Sequence, residues 1–182
     1  RTLIRERLTA MISERMRSQL ARQPRPCIAA HVRMGDFRQL QANENFAQVG
    51  LVRTPLVYFI DLIHDICRIA DKELPVTIFS DGVAEELAPL LEVPGVKRAD
   101  RNPDIVDLLL MAQSQLIICS AGSTFSYWSG FLADAPLLLH PDHIHAPIRT
   151  APVNQLYFEG GVRGPASDWP TLLKQNILAI DF

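Results

Sequence analysis

At 182 residues, with 48% hydrophobic and 21% charged side chains, the chain is long enough for one ordinary globular domain with a substantial core. A formal net charge of −2 argues against the basic surface that general nucleic-acid binding needs, and no apolar run approaches the ~20 residues of a bilayer-spanning helix. The three cysteines, Cys27, Cys67 and Cys119, are far apart, fit no metal-ligand spacing and lie in apolar runs; they read as free thiols in a reducing compartment, the cytosol. Arg1 opens the sequence and no signal-peptide pattern follows, so a piece of a longer protein is expected, with any targeting signal upstream.

Leu3, Ile4, Leu8, Met11 and Ile12 recur at helical spacing opposite Arg5, Glu6, Glu14 and Arg15, which predicts one amphipathic helix over 1–20 with a solvated basic face. Gln23-Pro24-Arg25-Pro26 ends it, and an apolar strand over 27–32 follows. The segment 38–53 is a polar loop. Thr54-Pro55 then supplies an N-cap and a first-turn proline for a helix to about residue 72. The alternation continues with strand 76–79, helix 83–91, a brief strand at Val96, and helix 103–114 opened by Asn102-Pro103. Strand 116–119, a helix to Leu132 and strand 136–139 come next. A loop rich in His, Pro and Gly leads to a last helix over about 169–179. Strands alternating with helices predict an α/β fold, a doubly wound parallel sheet in one domain.

Such a sheet gathers the carboxyl ends of its strands along one edge, where ligands bind. Three strand ends there carry chemistry. The first is Cys27-Ile28-Ala29-Ala30-His31-Val32-Arg33-Met34-Gly35-Asp36-Phe37, where an apolar run stops at a His, an Arg and an Asp. An Arg beside a Gly-Asp turn suits two phosphate oxygens at once; an Arg–Asp pair that pins the loop is the plainer alternative. The second is Ser80-Asp81-Gly82. The third is Ser120-Ala121-Gly122-Ser123-Thr124-Phe125-Ser126, whose small and hydroxylated residues open a helix. Free backbone N–H groups and the positive dipole end attract an anion there, beyond what a simple Ser/Thr cap requires. A cationic fork facing a helix N-terminus makes a pyrophosphate clamp, which points to a nucleotide or nucleotide sugar.

His31-Val32-Arg33-Met34-Gly35-Asp36-Phe37 resembles the H-V-R-R-G-D-Y motif of the bacterial α-1,2-fucosyltransferases, itself similar to the H-x-R-R-x-D segment of α-1,6- and protein O-fucosyltransferases. Ile78-Phe79-Ser80-Asp81-Gly82 is similar to that family's F-S-D-D turn. Asp107, Leu108–Ala112 and Leu116–Cys119 resemble its D-L-x-x-M-S-x-C approach, and Ser123-Thr124-Phe125-Ser126-Tyr127-Trp128 its N-S-S-F-S-W-W run. The resemblance spans about residues 25–140, with four motifs in order. Met34, Gly82 and Gly122-Ser123-Thr124 depart from it. Met34 and Gly82 together remove one basic and one acidic residue from neighbouring strand ends, which reads as a compensated pair, another donor, or a weakened enzyme.

The resemblance implies the Rossmann-like, nucleotide-sugar-binding half of a GT-B type glycosyltransferase, with an acceptor-shaping amino-terminal half preceding it. It implies GDP-fucose as the donor substrate, no metal or other cofactor, and inverting transfer to a glycan hydroxyl. The acceptor expected is an oligosaccharide or glycolipid of bacterial polysaccharide synthesis, met at the inner face of the membrane. By position Arg33 would hold the β-phosphate and Asp36 is the nearest carboxylate to act as base, though a motif Asp at a Gly turn also serves to fix the loop. His31 would lie close to the nucleotide, Asp81 would orient Arg33, and Asp107 would read the guanine edge. Ser123, Thr124, Phe125 and Ser126 would form the phosphate and base loop. A transferase using another nucleotide sugar, or a catalytically silent binding domain, are the alternatives.

Competing motifs are weaker. His140, Asp142, His143 and His145 lie in a proline-containing loop without helical ligand spacing, so no metal site is assigned. No G-x-S-x-G elbow, Walker spacing or G-x-G-x-x-G is present.

Overall fold

The computed structural model describes residues 1–143 and 146–181. Two helices, α1 (Thr2–Met11) and α2 (Glu14–Arg22), precede strand β1 (Ile28–Val32). A long loop with a short 3-10 turn at Phe46–Gln48 leads to α3 (Leu56–Ala70), β2 (Val76–Ser80), α4 (Ala84–Leu91) and β3 (Val96–Arg98). Then come α5 (Asp104–Met111), β4 (Leu116–Ile118), α6 (Thr124–Leu132) and β5 (Leu137–Leu138). A four-residue α7 (Ala151–Asn154), β6 (Glu159–Gly160), a 3-10 turn at Ala166–Asp168 and α8 (Thr171–Leu178) complete the chain.

All six strands pair in parallel in the order β3-β2-β1-β4-β5-β6. The chain therefore reverses its direction of travel across the sheet between β1 and β4, and the crevice beyond their carboxyl ends is where open α/β sheets bind ligands. Every residue of β1 and β4 is buried, as a strand covered on both faces requires. Side chains alternate between the faces. Ile28, Ala30, Val32, Leu116 and Ile118 pack with Phe59, Ile63 and Ile66 of α3 and with Leu173 and Ile177 of α8. Ala29, Ile117 and Cys119 pack with Leu109 and Leu110 of α5 and with Leu20 of α2. The same period of two turns His31 toward α6.

Three expectations are corrected. The helix predicted over 1–20 is two helices, because the Ser13 hydroxyl caps α2 by accepting from Met16 N (3.3 Å). Arg17 Nη1 covers the last carbonyls of α1, donating to Ala10 O (3.2 Å) and Ile12 O (2.6 Å). Thr54 does not cap α3 and Asn102 does not cap α5; prolines 55 and 103 occupy those positions without a side-chain cap, which frees both polar side chains for the site described below. The loop predicted after residue 139 holds a sixth strand, tied down by Arg149. Its guanidinium pairs with Glu159 (3.2 Å) at 0% and 2% side-chain exposure, and donates to Ala135 O (2.6 Å) and Phe158 O (2.9 Å). Isolated charged residues in a polar segment carry no periodic signal, so this pair was not legible in the sequence.

Candidate active site

The switch point is assembled by hydroxyls that stitch β1 to the β4–α6 loop. Ser120, fully buried, donates to His31 O (2.8 Å) and accepts from Arg33 N (2.8 Å), extending the strand pairing one step beyond the sheet. Thr54, also buried, accepts from Ala121 N (2.9 Å) and so holds the turn that enters α6. Gly122 follows at φ 66°, in the left-handed region where a side chain is strained, and bends the backbone toward the first turn of α6.

Arg33 leaves the edge of β1 and lies between two carboxylates. Its Nε donates to Asp36 Oδ1 (2.9 Å), and its Nη2 and Nη1 form ion pairs with Asp36 Oδ1 and Asp81 Oδ2 (2.7 Å each). A guanidinium carries five N–H donors. Two carboxylate oxygens cannot occupy all five, so donors remain for a further anion. Asp81, at the end of β2, accepts from Met34 N (2.8 Å) through its other oxygen. Partial burial pushes its carboxyl up, but the N–H groups of Met34 and Gly35 and the Arg33 cation outweigh that and hold it below the usual carboxylate range. Gly35 is required by this approach, since a Cβ there would overlap Asp81 Oδ2. Asp36 is the more open partner, with 70% of its side chain exposed. Arg53, which no motif or periodicity marks, braces the turn by donating to Met34 O (3.2 Å) and Phe37 O (2.9 Å) while pairing with Glu86 (2.6 Å).

His31 is buried with Nδ1 2.6 Å from Ser126 Oγ and 3.4 Å from Ser123 Oγ, its ring tilted against Phe125 at 5.0 Å. Burial, with a smaller contribution from the Arg33 cation, lowers its pKa to about 4 against the opposing pull of Asp81, so the imidazole is neutral near pH 7. Ser123 and Ser126 are thus drawn inward behind His31, whereas Thr124 is exposed and Phe125 forms part of the cavity wall.

His31, Arg33, Asp81, Phe125 and Asp107 line one cavity of about 810 Å³, together with Arg98 at the end of β3. Asp107 stands in the first turn of α5, half-buried, and accepts from Asn102 Nδ2 (2.8 Å). Burial raises its carboxyl to about 6, with Asp104 adding in the same direction and Asn102 opposing. Arg98 donates to Gly82 O (2.6 Å) and Ser80 O (3.2 Å), bracing the β2 turn. An Arg at the end of a short strand was the available signal for it.

The two departures at residues 34 and 82 prove to be neighbours. Met34 is buried in the core, and a Cβ at Gly82 would stand 2.7 Å from Met34 Cγ. Gly82 makes room for the thioether chain, so the positions form one packing unit.

In the histidine loop, His140 Nδ1 accepts from Asp142 N (3.2 Å) and its ring packs on Phe46 and Tyr58. His143 Nε2 donates to Phe46 O (2.8 Å). His145 lies outside the described residues. Among the described residues no group of three or more His, Cys, Asp and Glu converges as metal ligands, and no helix is long and apolar enough to cross a membrane. Cys27, Cys67 and Cys119 are free thiols.

No protein-family model matches the sequence, and no curated protein matches it. Among solved structures the chain is similar to the UDP-GlcNAc 2-epimerase of Methanocaldococcus jannaschii, in complex with UDP-GlcNAc and UDP. The identity is 12% and the TM-score 0.55, over 98% of this chain and 44% of that one. POFUT1 in complex with GDP-fucose matches at 18% identity and TM-score 0.46, over 76% of this chain and 49% of that one. POFUT1 in complex with GDP matches at 18% and 0.46, over 70% and 46%. The chain thus spans less than half the length of these structures. The strand order and the likeness to the epimerase define a Rossmann-like α/β unit.

Proposed function

We propose that this chain is the donor-binding half of a GT-B type glycosyltransferase that takes GDP-fucose and transfers fucose, with inversion, to a glycan hydroxyl. The observation that carries the reading is the single cavity at the switch point. Its lining holds both Arg33, a cation between Asp36 and Asp81 with N–H donors to spare, and the half-buried carboxylate of Asp107. The motif resemblance supplies the donor; the cavity chemistry is compatible with it.

The pyrophosphate lies against Arg33 and the backbone N–H groups that begin α6, so no metal is needed to neutralise it. The neutral ring of His31, anchored through Nδ1 to Ser126, faces the nucleotide from the cavity lining. The Asp107 carboxylate accepts from the two N–H groups of the guanine edge. The acceptor oxygen attacks C1 of the fucosyl group as the bond from C1 to the β-phosphate oxygen breaks, and GDP departs with that electron pair. Asp36, through the oxygen not bonded to Arg33, takes the proton of the acceptor hydroxyl. Arg33 stabilises the charge that develops on the leaving group. The epimerase likeness favours a second reading, a unit for a uridine diphosphate sugar.

Thermal shift separates the two. GDP is expected to raise Tm well above UDP or ADP at equal concentration, and Asp107→Asn to erase that preference while the unliganded Tm stays close to the parent's, because its NH₂ opposes the guanine donors. Equal stabilisation by UDP and GDP in the parent protein overturns the guanine assignment.

A further inference from the structure

Asp107 can read a base only if its carboxylate is held in one orientation, and the structure provides the holder. Asn102 Nδ2 donates to Asp107 Oδ1 (2.8 Å) and to Asp100 O (3.0 Å). A backbone carbonyl can only accept, so Asp100 fixes which end of the Asn102 amide is the NH₂. The other end, Asn102 Oδ1, accepts from Gln19 Nε2 and Gln23 Nε2, each at 2.6 Å. Gln19 and Gln23 are one turn apart, on the same face of α2 and its carboxyl end, and so converge on one oxygen. Asn102 Nδ2 also lies 3.4 Å from Gln23 Oε1, so Gln23 grips both ends of the amide, and a rotation of Asn102 would set its oxygen against the Asp100 carbonyl and the Asp107 carboxylate.

We infer that Asn102 is the positioning residue of the base-reading carboxylate: anchored by Gln19 and Gln23, it fixes Asp107 so that a carboxylate oxygen faces the cavity and selects a base edge rich in N–H donors. The inference rests on the reading of Asp107 as the residue that meets the base. Asn102 itself is a support, because its amide oxygen is taken by α2.

Two consequences distinguish this from a bond that only stabilises the fold. The first is selectivity: a carboxylate free to rotate meets the single N–H of uracil as well as the paired donors of guanine. The second is charge. Burial already holds the Asp107 proton up to about pH 6, and Asn102 opposes that by donating to the ionised form. Asp104 on α5 raises it further; Asp100, Arg98 and Arg101 line the same cavity, and α2 presents the two neutral glutamine amides. A ligand that needs the ionised carboxylate binds fully above pH 7 and loses about tenfold per pH unit below 6. Loss of the Asn102 donor moves that fall to higher pH.

The experiment measures Kd for GDP and for UDP by calorimetry from pH 5 to 8 in the full-length protein. The variants are Asn102→Leu, Gln19→Leu/Gln23→Leu and Asp107→Asn. In the two support variants the GDP-over-UDP preference at pH 7 is expected to fall about tenfold, the worth of one hydrogen bond to a charged group, and the pH midpoint to rise. The glutamine pair tests the same support from a separate helix should Asn102→Leu fold poorly. Asp107→Asn should remove the pH dependence of the GDP-over-UDP preference, because the terminal phosphate, whose own titration at about pH 6 also moves Kd, is common to both ligands. A parent protein without GDP preference overturns the reading of Asp107. A parent with that preference, abolished by Asp107→Asn but retained at the same pH midpoint in both support variants, overturns the positioning role of Asn102.

Discussion

Replacing Gly35 by Ala tests the whole Arg33–Asp81 arrangement with one methyl group. The backbone at Gly35 is outside the left-handed region, so alanine itself is tolerated there. The added Cβ, however, falls on Asp81 Oδ2 and 3.2 Å from its Cγ, and a short carboxylate side chain must swing away as a unit. It then leaves Arg33 Nη1, now at 2.7 Å, and Met34 N, now at 2.8 Å. Bonds to a charged group contribute about 1.5–3 kcal/mol each, the part-exposed ion pair under about 1 kcal/mol. Gly-to-Ala stiffening of the unfolded chain returns about 0.4–1 kcal/mol. The net loss is about 2 kcal/mol. At roughly 2–4 °C per kcal/mol for a domain of this size, Tm should fall by about 4–8 °C. Freed from Asp81, Arg33 must be reordered by the ligand, so Kd for GDP should weaken about tenfold. Differential scanning fluorimetry and calorimetry read both. In an Asp81→Ala background the same glycine change should cost under about 0.5 kcal/mol, because the overlapping atoms are gone. An unchanged Tm and Kd in the single variant, or an equal loss in both backgrounds, refutes the reasoning.

Arg33→Lys should keep part of the GDP affinity but lower kcat by about 10²–10³ in the full-length enzyme, since an ammonium cannot reproduce the paired planar donors; near-normal turnover would leave Arg33 a loop anchor. Glu159→Gln should lower stability by about 3–5 kcal/mol, because the Arg149 guanidinium remains buried without its counter-charge. A Tm within a few degrees of the parent's would show that the pair contributes little. GDP binding in excess EDTA should match that of untreated protein, and a loss restored by manganese would overturn the metal-free clamp and direct attention to His140 and His143.

The order of the elements and the gathering of three strand ends were legible from the sequence because both rest on local signals. Buried strands such as Ile28–Val32 read as continuous apolar runs, and runs interrupted by helices of period 3.6 dictate a parallel sheet whose carboxyl ends share an edge. That is enough to bring His31, Arg33 and Asp81 together without knowing a single contact. The destinations of polar side chains at element boundaries were not legible. Thr54 and Asn102 each stand before a proline as helix caps do, yet Thr54 holds Ala121 and Asn102 holds Asp107. A hydroxyl or amide satisfies whichever partner the folded chain brings within about 3 Å, and those partners lie 67 and 5 residues away. The same is true of Ser126, which reads as a phosphate ligand but turns inward to His31, and of Met34 and Gly82, whose fit depends on two strand ends meeting. Periodicity and propensity determine which segments become strands and helices. Only the packed structure decides which of their polar atoms face the cavity and which brace it, because that choice depends on contacts between residues distant in sequence.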